Sequence, residues 1–329
     1  MSDEILINVT PPETRVAIVE NGVLQEVLIE RTRRRGLVGN IYKGKICRIL
    51  PGMQAAFVDI GLERSAFLHV SDLCPGEREK AQGDQIELIF RDGQELVVQV
   101  VKDPIGAKGA RLTTELAIPS VFLVYMPQAR TSGVSQRIEC EAERVRLRAC
   151  VEAFQKEHGT GGFIARTAAE GIDEAALRAD MLFLLKLWNS IAQRQRTAKP
   201  RTLLHEDLPL SMRVLRDMHC AKVEKIRIDS RETYNRLAKF AREFVPELAP
   251  RLEHYAGERP LFDLYAVEDE IQRALERRVT LKSGGYLIFD QTEAMTTIDV
   301  NTGAFVGGRN LEETIFKTNL EAAQAIARQ

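Results

Sequence analysis

The chain has no excess of charge of either sign. Its 329 residues carry 46 Lys and Arg against 47 Asp and Glu, a formal net charge of −1. That excludes a globally basic binder of polyanions, so any nucleic-acid site must be a local patch. Cysteine is scarce and odd in number: Cys47, Cys74, Cys140, Cys150 and Cys220 include no C-x-x-C pair. A disulfide framework and a paired-cysteine zinc site are thereby excluded, and reduced thiols are expected. No apolar run approaches the roughly 18 residues of a membrane span, so no membrane partner is expected. The opening Met1-Ser-Asp-Glu is acidic and leads directly into a strand-like run, unlike a signal peptide, and a cytoplasmic location follows as the expectation. Internal repeats and low-complexity tracts are missing as well. What is present, 44% hydrophobic and 28% charged residues, suits a globular chain of two or three domains.

Three strands are predicted first, over Glu4–Val9, Thr14–Val19 and Val23–Glu30, with a hairpin turn at Glu20-Asn-Gly22. From Val38 to Lys102 short strands alternate with glycines: Asn40–Leu50, Gln54–Ile60, Ala66–Val70, Ile86–Phe90 and Glu95–Lys102. This pattern points to a small closed barrel. The loop Asp103–Arg111 combines glycines with two cations, which suits phosphate contact or an ordinary solvated loop. Between 119 and 205 the pattern is mixed, with a strand at Val121–Met126, a helix over Glu141–Phe154 and a strand ending in Arg166 and Thr167. A long helix over Glu174–Arg196 places Leu177, Met181, Leu184, Leu185 and Trp188 on one face, which makes Trp188 a core residue. Further on, a strand is expected at Val223–Asp229 and a helix at Glu232–Phe244. A helix over Leu264–Arg278 should turn Val267, Ile271, Ala274 and Leu275 inward and end on Arg277-Arg278. Asn310-Leu-Glu-Glu313 reads as a capping box opening a helix with Leu311, Ile315, Ala322 and Ile326 on one face.

The stretch Tyr286–Asn301 carries the most suggestive chemistry. Successive strand side chains alternate faces, so Met295, Thr297, Asp299 and Asn301 share one face while Ile298 and Val300 bury on the other. A carboxylate and an amide two residues apart can reach one hard cation through oxygen. A strand-end Asp followed by an Asn-Thr-Gly turn is the plainer alternative.

Set side by side, Gly39-Asn-Ile-Tyr-Lys-Gly-Lys45, Ala55-Ala-Phe-Val-Asp59, Lys108-Gly-Ala, Gly162-Phe-Ile-Ala-Arg-Thr167 and Thr297-Ile-Asp-Val-Asn301 with Glu312-Glu-Thr resemble the ribonuclease E/G family, in its shorter ribonuclease G form. The resemblance covers essentially the whole chain. It implies an α+β multidomain fold: an RNase H-like subdomain (1–36 and 206–278) interrupted by an S1 barrel of OB type (37–118) and a 5′-sensor region (119–205). The start of a DNase I-like catalytic subdomain (279–329) follows. The implied activity is Mg²⁺-dependent endonucleolytic hydrolysis of single-stranded RNA in rRNA maturation and mRNA decay. Products would carry 5′-phosphate and 3′-hydroxyl ends, and 5′-monophosphorylated substrates would be favoured. Phe57 and Phe67 match the family's base-stacking aromatics and Lys108 its phosphate-contacting lysine, although each Phe taken alone is more often a core residue. Arg166 and Thr167 match the 5′-phosphate sensor; near it Ser135-Gln136-Arg137 departs from the family's usual pair of arginines. Asp299 matches one of two Mg²⁺-binding aspartates and Asn301 the amide beside it. The second aspartate, the cysteine zinc link and the small dimerising domain have no counterpart in this sequence. The chain itself is therefore expected to bind RNA better than it cleaves it, which leaves a non-catalytic RNA-binding module as the alternative. Zinc and homo-oligomerisation are expected of the full-length family rather than of this chain.

Overall fold

The computed structural model describes residues 3–33, 35–79, 86–129, 131–159, 161–217, 223–304 and 311–329. The chain is mixed α+β and divides into two compact units, one of residues 1–32, 222–238 and 250–329, the other of 33–221 and 239–249.

The first unit holds a five-stranded sheet in the order Leu252–His254, Val223–Ile228, Asp3–Val9, Glu13–Glu20, Val23–Arg31. Ile5, Leu6 and Ile7 are all buried, as a strand covered on both faces requires. On one face Leu6, Ala17 and Val19 pack against Leu261, Phe262 and Val267. The unit's second sheet is antiparallel and runs Arg278–Thr280, Tyr286–Gln291, Thr296–Asn301. The helix Leu311–Arg328 covers one of its faces, with Ala322, Ala325 and Ile326 against Leu287, Phe289 and Ile298.

In the second unit Ile41–Leu50, Ala55–Asp59, Ala66–His69, Arg111–Thr113 and Glu95–Lys102 form a five-stranded barrel, closed where the last pairs back onto the first. Its interior is filled by Ile46, Val58, Leu68, Val98, Val100 and Leu112. Gly44 lies where the first strand crosses Val58; a Cβ there would sit 2.6 Å from the valine methyl. A four-stranded sheet follows, in the order Gly133–Val134, Gly162–Ala165, Leu123–Met126, Ile118–Pro119. The helices Glu141–His158 and Glu174–Thr197 supply Phe154, Leu177, Met181 and Leu184 to its core. The buried rings of Tyr125 and Phe163 lie 4.8 Å apart, and half-buried Trp188 meets Tyr125 edge-on, the core role expected of it.

Four sequence expectations need correction. Ile86–Phe90 is a 3-10 turn (Ile86–Leu88) rather than a strand: Ile86 and Phe90 are buried and Ile89 packs beside them, a spacing of three to four that is helical. The fifth strand is Arg111–Thr113 instead, set between Ala66–His69 and Glu95–Lys102. The helix expected over 264–278 is broken at Ala266, whose φ is +53°, into Leu261–Leu264 and Val267–Ala274. Ala274 is exposed and Leu275 76% exposed, while Arg278 is drawn into the small sheet, so pairing overrides helix propensity there. On the last helix it is Thr314, Thr318 and Ala322 that are buried, and Ile315 points outward. The polar burial is tolerated because the Thr318 hydroxyl donates to the Thr314 carbonyl at 2.9 Å. Val300, expected inside, is 37% exposed, whereas Ile298 packs on the helix as expected. Asn310, the side chain of Leu311 and Cys220 lie outside the described residues; Cys47, Cys74, Cys140 and Cys150 are free thiols.

Candidate nucleic-acid interface and metal face

On the outside of the barrel, strand register sets four side chains in one row. Arg48 pairs with Phe57, Phe57 with Phe67, and Phe67 with Arg111. Their neighbours Val58, Ala66, Leu68 and Leu112 are fully buried, so the row occupies the opposite, outer face. The two Phe rings meet edge-on with centroids 6.1 Å apart, and the His69 ring lies nearly parallel to Phe67 at 6.3 Å. The His69 Nδ1 accepts the Ser71 backbone N–H at 3.1 Å, which caps the short turn after the strand and fixes the ring. Arg111 is held by both carboxylate oxygens of Asp72, at 2.8 and 3.1 Å, and that pairing raises its pKa further. Lys108 is exposed at the tip of a tight loop bridged to Ile105 and leading back to the Phe67 strand. Gly109 lets this loop lie against the barrel: a Cβ there would run into the Ser65 carbonyl. Half-buried aromatic faces flanked by guanidiniums and a free-standing ammonium make a platform for unstacked bases and their backbone. Of these residues, the sequence singles out Phe57, Phe67, Lys108 and, as the second cation of the Asp103–Arg111 loop, Arg111; Arg48 and His69 join through cross-strand register.

Arg166 follows directly on the strand Gly162–Ala165, its amide donating to the Phe122 carbonyl at 2.8 Å, and Thr167 opens a short 3-10 turn. The Ser135–Arg137 turn lies alongside, through Ser135 N–H to Ala165 O at 2.8 Å, with Gln136 and Arg137 exposed. Arg166 is not waiting empty-handed. Its Nη1 donates to Ser120 O at 2.6 Å, and its Nη2 to Asp217 Oδ1 at 2.8 Å. The Ser120 hydroxyl in turn donates to Asp180 at 2.5 Å. Burial pushes the Asp180 carboxyl up to about 6, against the opposing pull of these hydrogen bonds and of Arg166. Burial also pulls Asp217 upward, but the guanidiniums of Arg216 and Arg166 outweigh it and hold it below its usual value. Neither aspartate carries a local sequence signal.

In the small sheet of the first unit, Tyr286, Ile288 and Asp290 pair with Asn301, Asp299 and Thr297 on the face away from the helix. The Asn301 amide donates to Asp299 at 2.9 Å, so the two share a face as the alternation predicts. Asp299 is exposed, with oxygen free toward solvent. Asp290, on the same face, is engaged by Arg277 through both carboxylate oxygens at 2.6 and 2.9 Å, and this pairing lowers its pKa. Among the described residues no group of three or more acidic, His or Cys side chains converges as a metal cage. Asp299 and the Asn301 carbonyl oxygen are the hard donors this face offers, a set that suits a cation keeping most of its waters.

The sequence pattern of the Ribonuclease E/G family matches residues 117–329. The whole chain is 58% identical to Ribonuclease G of Escherichia coli (strain K12), over 337 aligned positions that cover 68% of that protein. It is 55% identical to Ribonuclease G of Haemophilus influenzae across 67% of that protein's length, and 37% identical to Ribonuclease E of Escherichia coli (strain K12) across 31%. The chain thus spans about two thirds of the ribonuclease G relatives. Among the described residues no helix is long and apolar enough to cross a membrane.

Proposed function

The chain belongs to the ribonuclease E/G family, and from that premise we propose that it is the RNA-binding and part of the catalytic apparatus of a single-strand-specific endoribonuclease of RNA processing and decay. The observation that carries this reading is the row Arg48–Phe57–Phe67–Arg111 on the barrel. Bases stack on the two rings, Lys108 neutralises the passing backbone, and duplex RNA, whose bases are not splayed, gains nothing from the platform. Arg166 and Thr167 hold a 5′-terminal monophosphate, the guanidinium being already aimed by the Ser120 carbonyl. The barrel at 37–118 serves as an S1 domain and 119–205 as the 5′ sensor; 1–36 with 206–278 form the RNase H-like part, and 279–329 begins a DNase I-like subdomain.

Asp299 and Asn301 would hold Mg²⁺. Bound there, the ion would supply Lewis acidity toward water and the scissile phosphate, giving 5′-phosphate and 3′-hydroxyl ends. The protein's own part is to fix the Asp299 carboxylate through the Asn301 amide and to keep Asp290 out of competition by pairing it with Arg277. With one carboxylate available on that face, turnover by this chain is expected to be slow compared with binding, so a non-catalytic single-stranded RNA-binding module remains the second reading. Asp299→Ala separates the two. It should abolish any Mg²⁺-dependent cleavage of a 5′-monophosphorylated oligonucleotide while leaving affinity and, as a change at an exposed site, stability within about 0.5 kcal/mol. Cleavage that survives the substitution removes Asp299 from the chemistry.

Arg166→Ala tests the sensor. Charge-assisted hydrogen bonds contribute about 1.5–3 kcal/mol, so the preference for 5′-monophosphate over 5′-hydroxyl RNA should fall by roughly 10-fold or more. A preference unchanged in parallel titrations would move the sensor elsewhere.

A further inference from the structure

The carboxylate of Asp217 lies between two guanidiniums. Arg166 Nη2 donates to its Oδ1 at 2.8 Å, and Arg216 donates from Nε to Oδ1 at 3.0 Å and from Nη2 to Oδ2 at 3.2 Å. Arg216 is 5% exposed and reaches on to Asp207 Oδ1 at 3.1 Å, where Arg213 also approaches to 3.9 Å. Arg166 and Arg216 thus fix the Asp217 carboxylate beside the Arg166 fork, where its negative charge faces whatever Arg166 binds. We propose that Asp217 is a specificity-determining residue of the sensor: its fixed negative charge limits how much phosphate charge Arg166 accepts, favouring one terminal phosphate over three. The inference rests on the reading of Arg166 as the phosphate ligand.

A guanidinium has about 5 N–H donors, and contacts to Ser120 O, Val121 O and Asp217 occupy part of that set, leaving a fork of the size one phosphate fills. A terminal monophosphate brings a charge of about −1.5 to −2, and a triphosphate brings more. Each added charge meets the same Asp217 carboxylate, and the repulsion grows in proportion. Asp217 cannot retreat, because the nearly buried Arg216 holds both of its oxygens. Asp180, the other acid close to Arg166, is committed to the Ser120 hydroxyl and the Phe122 amide.

The test measures affinities of the full chain for one single-stranded oligonucleotide carrying a 5′-hydroxyl, a 5′-monophosphate or a 5′-triphosphate, by fluorescence anisotropy. Asp217→Asn preserves shape and an acceptor for Arg166 but removes the charge. It should tighten monophosphate binding by about 3-fold and triphosphate binding by about 10-fold, with the hydroxyl end unmoved, so that the preference for monophosphate over triphosphate narrows by about 3-fold. Asp217→Glu keeps the charge and should keep the wild-type selectivity. An unchanged ratio in Asp217→Asn, or a loss of all phosphate preference as in Arg166→Ala, overturns the proposal, the latter because it would make Asp217 a mere support for the arginine. So does selectivity lost in Asp217→Glu. If instead Arg166→Ala leaves the three ends ranked as in the wild type, the sensor reading itself fails, which is a different outcome.

Discussion

Replacing both Phe57 and Phe67 with alanine is expected to weaken binding of single-stranded RNA by at least 30-fold, since each stacked base contributes about 1–3 kcal/mol. The rings sit on adjacent strands in direct register, half-buried, with their outer surfaces open to a ligand. The half-buried rings meet edge-on, so the double substitution should also lower stability, and thermal melts must accompany the titrations. The salt dependence of binding should survive nearly unchanged, because Arg48, Arg111 and Lys108 remain. Loss of affinity with the salt slope intact identifies stacking as the missing term. Wild-type affinity in the double variant would make the pair packing residues and nothing more.

The second large effect concerns Asp180. Its carboxyl is raised to about 6 by burial. A raised carboxylic pKa means that the folded protein binds a proton which the unfolded chain, at its ordinary value near 3.9, has already released. The sign follows: between about pH 4 and 6 the folded state gains stability as pH falls, and above pH 6 it carries the full cost of a buried charge, on the order of 3 kcal/mol. Asp180→Asn removes that cost while its amide oxygen can still accept the Phe122 N–H. At pH 8 the variant should therefore melt higher than the wild type, by up to about 3 kcal/mol, and the difference should shrink toward pH 5. A wild-type melting profile that is flat across this window would show that the Ser120 hydroxyl and Arg166 compensate the burial fully. Because Ser120 also presents the carbonyl that aims Arg166, a sensor preference that weakens in Asp180→Asn would tie this buried acid to the phosphate site.

Features governed by period and punctuation were legible in the sequence. Glycine-divided strands announced the barrel, two-residue alternation put Asp299 with Asn301, and the helical stripe through Met181 and Leu184 marked its buried face. Motif resemblance singled out Phe57, Phe67, Lys108, Arg166 and Thr167, and in the structure Phe57 and Phe67 do adjoin, with the Lys108 loop leading into the strand beside them. What stayed hidden depends on tertiary register. Arg48 lies 63 positions from the loop cation Arg111, and only the pairing of four strands sets the two at opposite ends of one row. Asp217 reaches Arg166 across 51 positions, and nothing local distinguishes it from any helix-end aspartate. Leu275 misled because its helical spacing was real, yet the neighbouring chain was claimed by the small sheet.

Photo-crosslinking of a 5′-monophosphorylated single-stranded oligonucleotide to the full chain, followed by peptide mapping, tests the interface most directly. Adducts are expected on the peptides that carry Phe57, Phe67 and Lys108, and, for a label at the 5′ end, on the peptide that carries Arg166. Adducts confined to the five-stranded sheet of the first unit, with the barrel peptides unmodified, would contradict this interface.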